Sequence, residues 1–211
     1  MPQHDHLRTL AINEETRYPD RRWHMMNVMA KNHEEQKRKL TGEHYIAHTF
    51  GVMEIVNEVT DDEDVLIAAL GHDLVEDTEM TLEKLEQKFG ARVANIIWGV
   101  TKDGSIPDWH TRNRAYLERL MGEAEDGSVL VALADKIYNI TDMIANHYEF
   151  GPAMWEKFKA QPIDQVWWYT SVLEIGEARL PECELNTYLR ELIDIFEREV
   201  VGIDILAHAS S

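Results

Sequence analysis

With 211 residues, 44% of them hydrophobic, the chain is long enough for one domain with its own core. Its 39 acidic and 21 basic residues give a formal net charge of −18, a field that repels nucleic-acid backbones and anionic membranes and sets both aside as partners. The single cysteine, Cys183, rules out an intramolecular disulfide scaffold. No apolar run approaches the ~20 residues of a membrane span and the N-terminus shows no signal-peptide core, so a cytoplasmic protein is expected.

Residues 1–20 carry few large apolar side chains and are expected to form an arm. From Arg21 a stretch without proline or glycine predicts a helix that buries Trp23, Met26 and Met29 or Ala30, ended by Gly42. Ile46, Phe50, Met53, Val56 and Val59 recur at helical spacing. The acidic run Asp61–Asp64 then suits the first turn of a buried helix through VLIAALGHDLV. Thr81 is a fitting N-cap for LEKLEQKF and Gly90 its terminator, and a helix follows over 91–100. Residues 102–111 contain Gly and Pro and read as a loop. Helices are expected over 112–122, 129–147, 164–178 and 184–200, with a break at Gly151–Pro152. The cluster Trp155, Trp167, Trp168 and Tyr169 reads as core rather than as an interface, and nothing fixes the oligomeric state. No segment alternates convincingly, so the fold class is all-α: a single helical domain over 21–200 with a tail at 201–211.

Four polar residues stand inside or beside apolar helices: His48, the pair His72–Asp73, and Asp135 after VLVALA. A carboxylate so placed needs a cation or a donor. Two imidazoles and two carboxylates suit Mn²⁺, Fe²⁺, Co²⁺ or Zn²⁺. Glu76 and Asp77 follow four residues after His72 and Asp73, one turn on if the helix continues, where they can move protons. Asn139, four residues after Asp135, points an amide toward the same place. Basic residues are densest before position 40, which favours an anionic small molecule there.

The strings HEEQKRKLTGEHYIAH (33–48), AALGHDLVEDTEMTLEKLEQKFG (68–90), GVTK (99–102) and LADKIYNITDM (133–143) cover half of the chain. In this order they resemble the HD-domain alarmone hydrolases of the Rel/Spo homologue family, closest in size to the free-standing small alarmone hydrolases. The resemblance implies the helical HD phosphohydrolase fold, with His48, His72, Asp73 and Asp135 as ligands of Mn²⁺. It implies Glu76 and Asp77 as the catalytic pair, and Arg38, Lys39, Lys102 and Asn139 as contacts to a nucleotide substrate. The implied reaction removes the 3′-pyrophosphate of guanosine tetra- or pentaphosphate, a degradative step of the stringent response, leaving GDP or GTP. The alternatives are an HD phosphohydrolase acting on adenosine alarmones, NADPH or another nucleotide, and a helical binding module. Several positions depart from the family pattern. Thr49 stands where proline is common, and one extra residue separates Arg38 from His48. Gly71 replaces a leucine, which would open space beside the ligands, and Thr141 replaces an arginine, which would alter substrate recognition.

Overall fold

The computed structural model describes residues 20–202; the expectations for the N-terminal arm and for most of the 201–211 tail lie outside the described residues. The helices are α1 (Arg21–Asn32), α2 (Ile46–Asn57), α3 (Glu63–Gly71), α4 (Leu74–Asp77), α5 (Leu82–Phe89), α6 (Ala91–Val100), α7 (Trp109–Gly122), α8 (Asp126–Phe150), α9 (Pro162–Arg179) and α10 (Glu184–Phe196). A short 3₁₀ turn occupies Pro152–Lys157 and a π turn Glu197–Val201. Among the described residues there is no strand, only an isolated antiparallel bridge between Lys37 and His44. The all-α expectation is met.

Local chemistry explains most boundaries. Asp20, Asp62, Thr81 and Asp108 each accept a backbone N–H of the helix they cap. Gly90 has φ +94°, a conformation that stops α5 at little steric cost, as anticipated. Asp108 starts α7 at Trp109, inside the stretch expected to be loop, because its carboxylate receives Thr111 N–H at 2.8 Å. A capping box at Gln161 and Asp164 opens α9.

Helix α8 is the central element, packed by α2, α3, α6, α9 and α10 around one hydrophobic cluster that runs from Met25 to Phe196. The predicted stripe of α1 is out of phase. Met25 and Met29 are buried, whereas Trp23 is 54% exposed and Met26 only partly covered. Met25 is drawn in because Gly71 leaves room for it: a Cβ at Gly71 would lie 2.8 Å from Met25 Cε. The space expected beside the ligands is therefore already filled by a methionine from α1. Trp155, Trp168 and Tyr169 are core, as read from sequence, and Trp167 is partly exposed.

Candidate metal centre and active site

Three elements deliver the four ligand candidates. His48 sits in the first turn of α2, His72 and Asp73 fill the break between α3 and α4, and Asp135 lies in the middle of α8. Ligand atoms of His48, His72 and Asp73 lie within 4.8 Å of one another. The two Nε2 atoms are 3.3 Å apart, and Asp73 Oδ2 is 3.0 Å from His72 Nε2 and 3.5 Å from His48 Nε2. Asp135 Oδ1 approaches the same two nitrogens at 3.2 and 3.7 Å.

Orientation is set from behind. His72 Nδ1 is 2.8 Å from the Ala69 carbonyl and donates to it, which fixes the ring with Nε2 facing the cluster. The Tyr45 hydroxyl donates to Asp73 Oδ2 at 2.5 Å. Asn139 Nδ2 donates to Asp135 Oδ1 at 2.6 Å, and Lys136 pairs with the other oxygen. Burial opposes ionisation throughout, yet pairing wins. It lifts His72 well above its usual range, through Asp73 and Asp135, and holds both aspartates well below theirs. Burial and then Asp73 also push the Tyr45 phenol up, so it stays a donor. Two imidazole nitrogens, each 3.0–3.7 Å from both carboxylates, gather around one point and demand positive charge there. A divalent cation fits that demand and the mixed nitrogen and oxygen donors.

The cluster opens into a cavity of about 390 Å³ whose lining includes Asp73, Glu76, Asp77 and Asp135 together with several lysines and Arg38. The chain loosens at His72–Asp73 instead of continuing as one helix, but Asp77 N–H still bonds Asp73 C=O at 2.9 Å, so the Glu76–Asp77 pair does lie over the ligands. Asp77 Oδ2 accepts from Gln36 Nε2 at 2.8 Å, and Glu76 Oε2 accepts from the Lys102 backbone N–H at 3.2 Å. Both acids are exposed to the cavity mouth.

Arg38 is brought to this cavity by a loop in which its N–H bonds Glu43 C=O and Gly42 turns at φ +72°. Arg38 then pairs with Asp142 at 2.6 Å, touches Asn139 Oδ1 at 3.4 Å, and lies over Tyr45 and Tyr138. Lys39 and Lys102 line the same cavity. Thr141 does not: it is exposed, its hydroxyl donates to Ile137 C=O, and the expected change in recognition at this position has no contact to act through. Thr49 is buried and its hydroxyl donates to Ile46 C=O, a bond within its own helix. Sequence reasoning passed over Tyr45, Gln36, Lys136 and Asp142. A signal for Asp142 existed, since 135, 138, 139 and 142 share one helix face. Gln36 and Tyr45 lie on either side of the loop and had none.

An HD domain family model matches residues 26–158. A zebrafish (Danio rerio) guanosine-3′,5′-bis(diphosphate) 3′-pyrophosphohydrolase MESH1 is 44% identical over 122 residues, 56% of this chain and 66% of that protein. The human MESH1 is 39% identical over 54% of this chain and 64% of its own length. The guanosine-3′,5′-bis(diphosphate) 3′-pyrophosphohydrolase of Aquifex aeolicus is 41% identical over 52% of this chain but only 16% of itself. The matched stretch thus spans slightly less than two thirds of the vertebrate relatives and a small part of the bacterial one. In three dimensions the chain is similar to a solved metazoan orthologue of SpoT described as hydrolysing ppGpp, with TM-score 0.71, 28% identity, and coverage of 84% of this chain and 97% of that one.

Proposed function

The chain belongs to the HD domain family, and we propose that it removes the 3′-pyrophosphate of guanosine tetra- or pentaphosphate, releasing GDP or GTP and pyrophosphate. The observation that carries this reading is a two-imidazole, two-carboxylate cluster whose aspartates line one cavity together with a flanking acid pair and several cations. His48, His72, Asp73 and Asp135 hold the cation, and Mn²⁺ suits their donor set. When bound, it supplies charge neutralisation at phosphorus and a water more acidic than bulk. Tyr45 and Asn139 keep the two aspartate carboxylates turned inward.

Water attacks the phosphorus attached to the ribose 3′-oxygen. A new P–O bond forms, the bond to the 3′-oxygen breaks, and the Glu76–Asp77 pair takes up the water's proton and returns one to that oxygen. Gln36 and the Lys102 N–H hold these acids at the cavity mouth, within reach of solvent for proton exchange. Arg38, Lys39 and Lys102 line the cavity; Arg38 and Lys39 neutralise the nucleoside diphosphate, and Lys102 the 3′-diphosphate. Asn139 already spends its amide on Asp135 and Arg38, so it links the ligand cluster to the nucleotide wall. The protein acts as one domain over 21–200 in the cytoplasm; among the described residues no helix is long and apolar enough to cross a membrane.

Purified protein with Mn²⁺ is expected to convert guanosine 3′,5′-bisdiphosphate to GDP and pyrophosphate, read by product chromatography. Release of orthophosphate alone, or consumption of NADPH or a nucleoside monophosphate while the bisdiphosphate survives, overturns the reading.

A further inference from the structure

Besides Arg38 and Lys39, the cavity lining carries a second polar set. Lys136 follows Asp135 on α8 and is only 3% exposed, with Nζ 5.0 Å from the Trp168 ring centroid and 5.8 Å from that of Tyr116. Lys102 reaches the same two rings from the loop after α6, at 5.6 and 5.8 Å. Two ammonium groups therefore converge on one pair of aromatic rings. Lys136 has Asp135 as counter-ion, and Lys102 has Glu76 at the loose distance of 3.7 Å.

One turn before Tyr116 on α7, Asn113 lines the same cavity while only 1% exposed. Neither its amide nitrogen nor its amide oxygen has a hydrogen-bond partner. A buried amide without partners lowers stability, and an apolar residue of similar volume would do better at that position unless something arrives to be bound. The donors Nζ, Nζ and Nδ2 of these three lining residues suit a tetrahedral oxyanion.

We infer that Lys102, Lys136 and Asn113 form a subsite for a phosphoryl group, and that it takes the distal phosphate of the 3′-diphosphate that is transferred to water and released as pyrophosphate. The inference rests on the proposed hydrolysis and deepens it. The reacting phosphoryl must face Asp135 and Glu76, and the two lysines are the direct neighbours of those carboxylates. A phosphate bonded to the reacting one reaches these lysines, and the nucleoside is left to Arg38, whose own partners are Asn139 and Asp142.

The test is titration calorimetry of Mn²⁺-loaded protein with inorganic pyrophosphate and, separately, with GDP, together with thermal melts of the ligand-free proteins. Asn113→Leu is expected to raise the melting temperature of the ligand-free chain while weakening pyrophosphate about tenfold, the loss of one hydrogen bond to a charged group. Asn113→Asp, which sets a like charge against the anion, is expected to weaken it further. GDP affinity should stay unchanged in both. Unchanged pyrophosphate affinity in both variants, or equal weakening of GDP, overturns the subsite. Should either variant fail to fold, Lys102→Met, at a partly exposed loop position, repeats the comparison with the same expected loss. Asn113-dependent pyrophosphate binding by a protein that leaves guanosine bisdiphosphate intact supports the subsite and removes the proposed reaction. Hydrolysis with unaltered pyrophosphate affinity removes the subsite alone.

Discussion

Asp135 is the residue on which most of the site converges: it faces two imidazoles, accepts from Asn139 and neutralises buried Lys136. Truncating it to alanine would leave that ammonium without its counter-charge, at about 3–5 kcal/mol. Asp135→Asn keeps the shape and isolates the charge. This variant is expected to lose bound metal and turnover while retaining its far-UV circular dichroism, and stoichiometric metal by elemental analysis would refute the ligand role. Glu76 and Asp77 give the opposite signature. Each is held by a donor outside the ligand cluster, so Glu76→Gln and Asp77→Asn should keep the metal and lower kcat by ~10²-fold or more if they move protons. Near-normal turnover in both would make them an ordinary acidic helix end.

At the scale of elements, the site depends on how closely three helices approach α8. Gly99 on α6 is one of the close approaches. An added Cβ would lie 2.3 Å from Ser128 Oγ and 2.7 Å from Ser128 Cβ, and that hydroxyl already donates to Ile96 C=O. Gly99→Ala should therefore cost about 1–3 kcal/mol by overpacking, read as a lower denaturation midpoint with an unchanged slope. A midpoint equal to wild type would mean that α6 and α8 can separate freely. The break between α3 and α4 matters in another way. By loosening at His72–Asp73, the chain turns an imidazole and an adjacent carboxylate toward one point, which neighbouring residues of an unbroken helix, 100° apart, do not readily achieve.

The molecule as a whole holds an acidic chain around a cavity whose walls collect Arg38, Lys39, Lys102 and Lys136, so an anion meets local attraction inside an unfavourable overall field. A bound cation would tie α2, the α3–α4 break and α8 together, while the hydrophobic cluster extends well beyond those elements. Chelation is accordingly expected to lower the melting temperature by about 5 °C or more, the linkage effect of removing a tightly held ligand, without loss of helical content. Collapse of the far-UV signal on chelation would make the metal a folding requirement and contradict a self-sufficient core.

Much of this was legible in the linear chain because helical periodicity, capping residues and glycine stops act within one or two turns. The all-helical class, the caps at Thr81 and Gly90, and the clustering of His48, His72, Asp73 and Asp135 all rest on such local rules or on strings long enough to resemble a family. The phase of α1 did not follow, since whether Trp23 or Met25 turns inward depends on the room that Gly71 leaves on a different helix. Nor did the pairing of Arg38 with Asp142, which lies 104 residues away in sequence, or the Tyr45 bond to Asp73. Asn113 is the clearest case. Nothing in its surroundings along the chain distinguishes it from a surface amide, and only the packing of α7 against α9 buries it beside two lysines with its hydrogen bonds unmade.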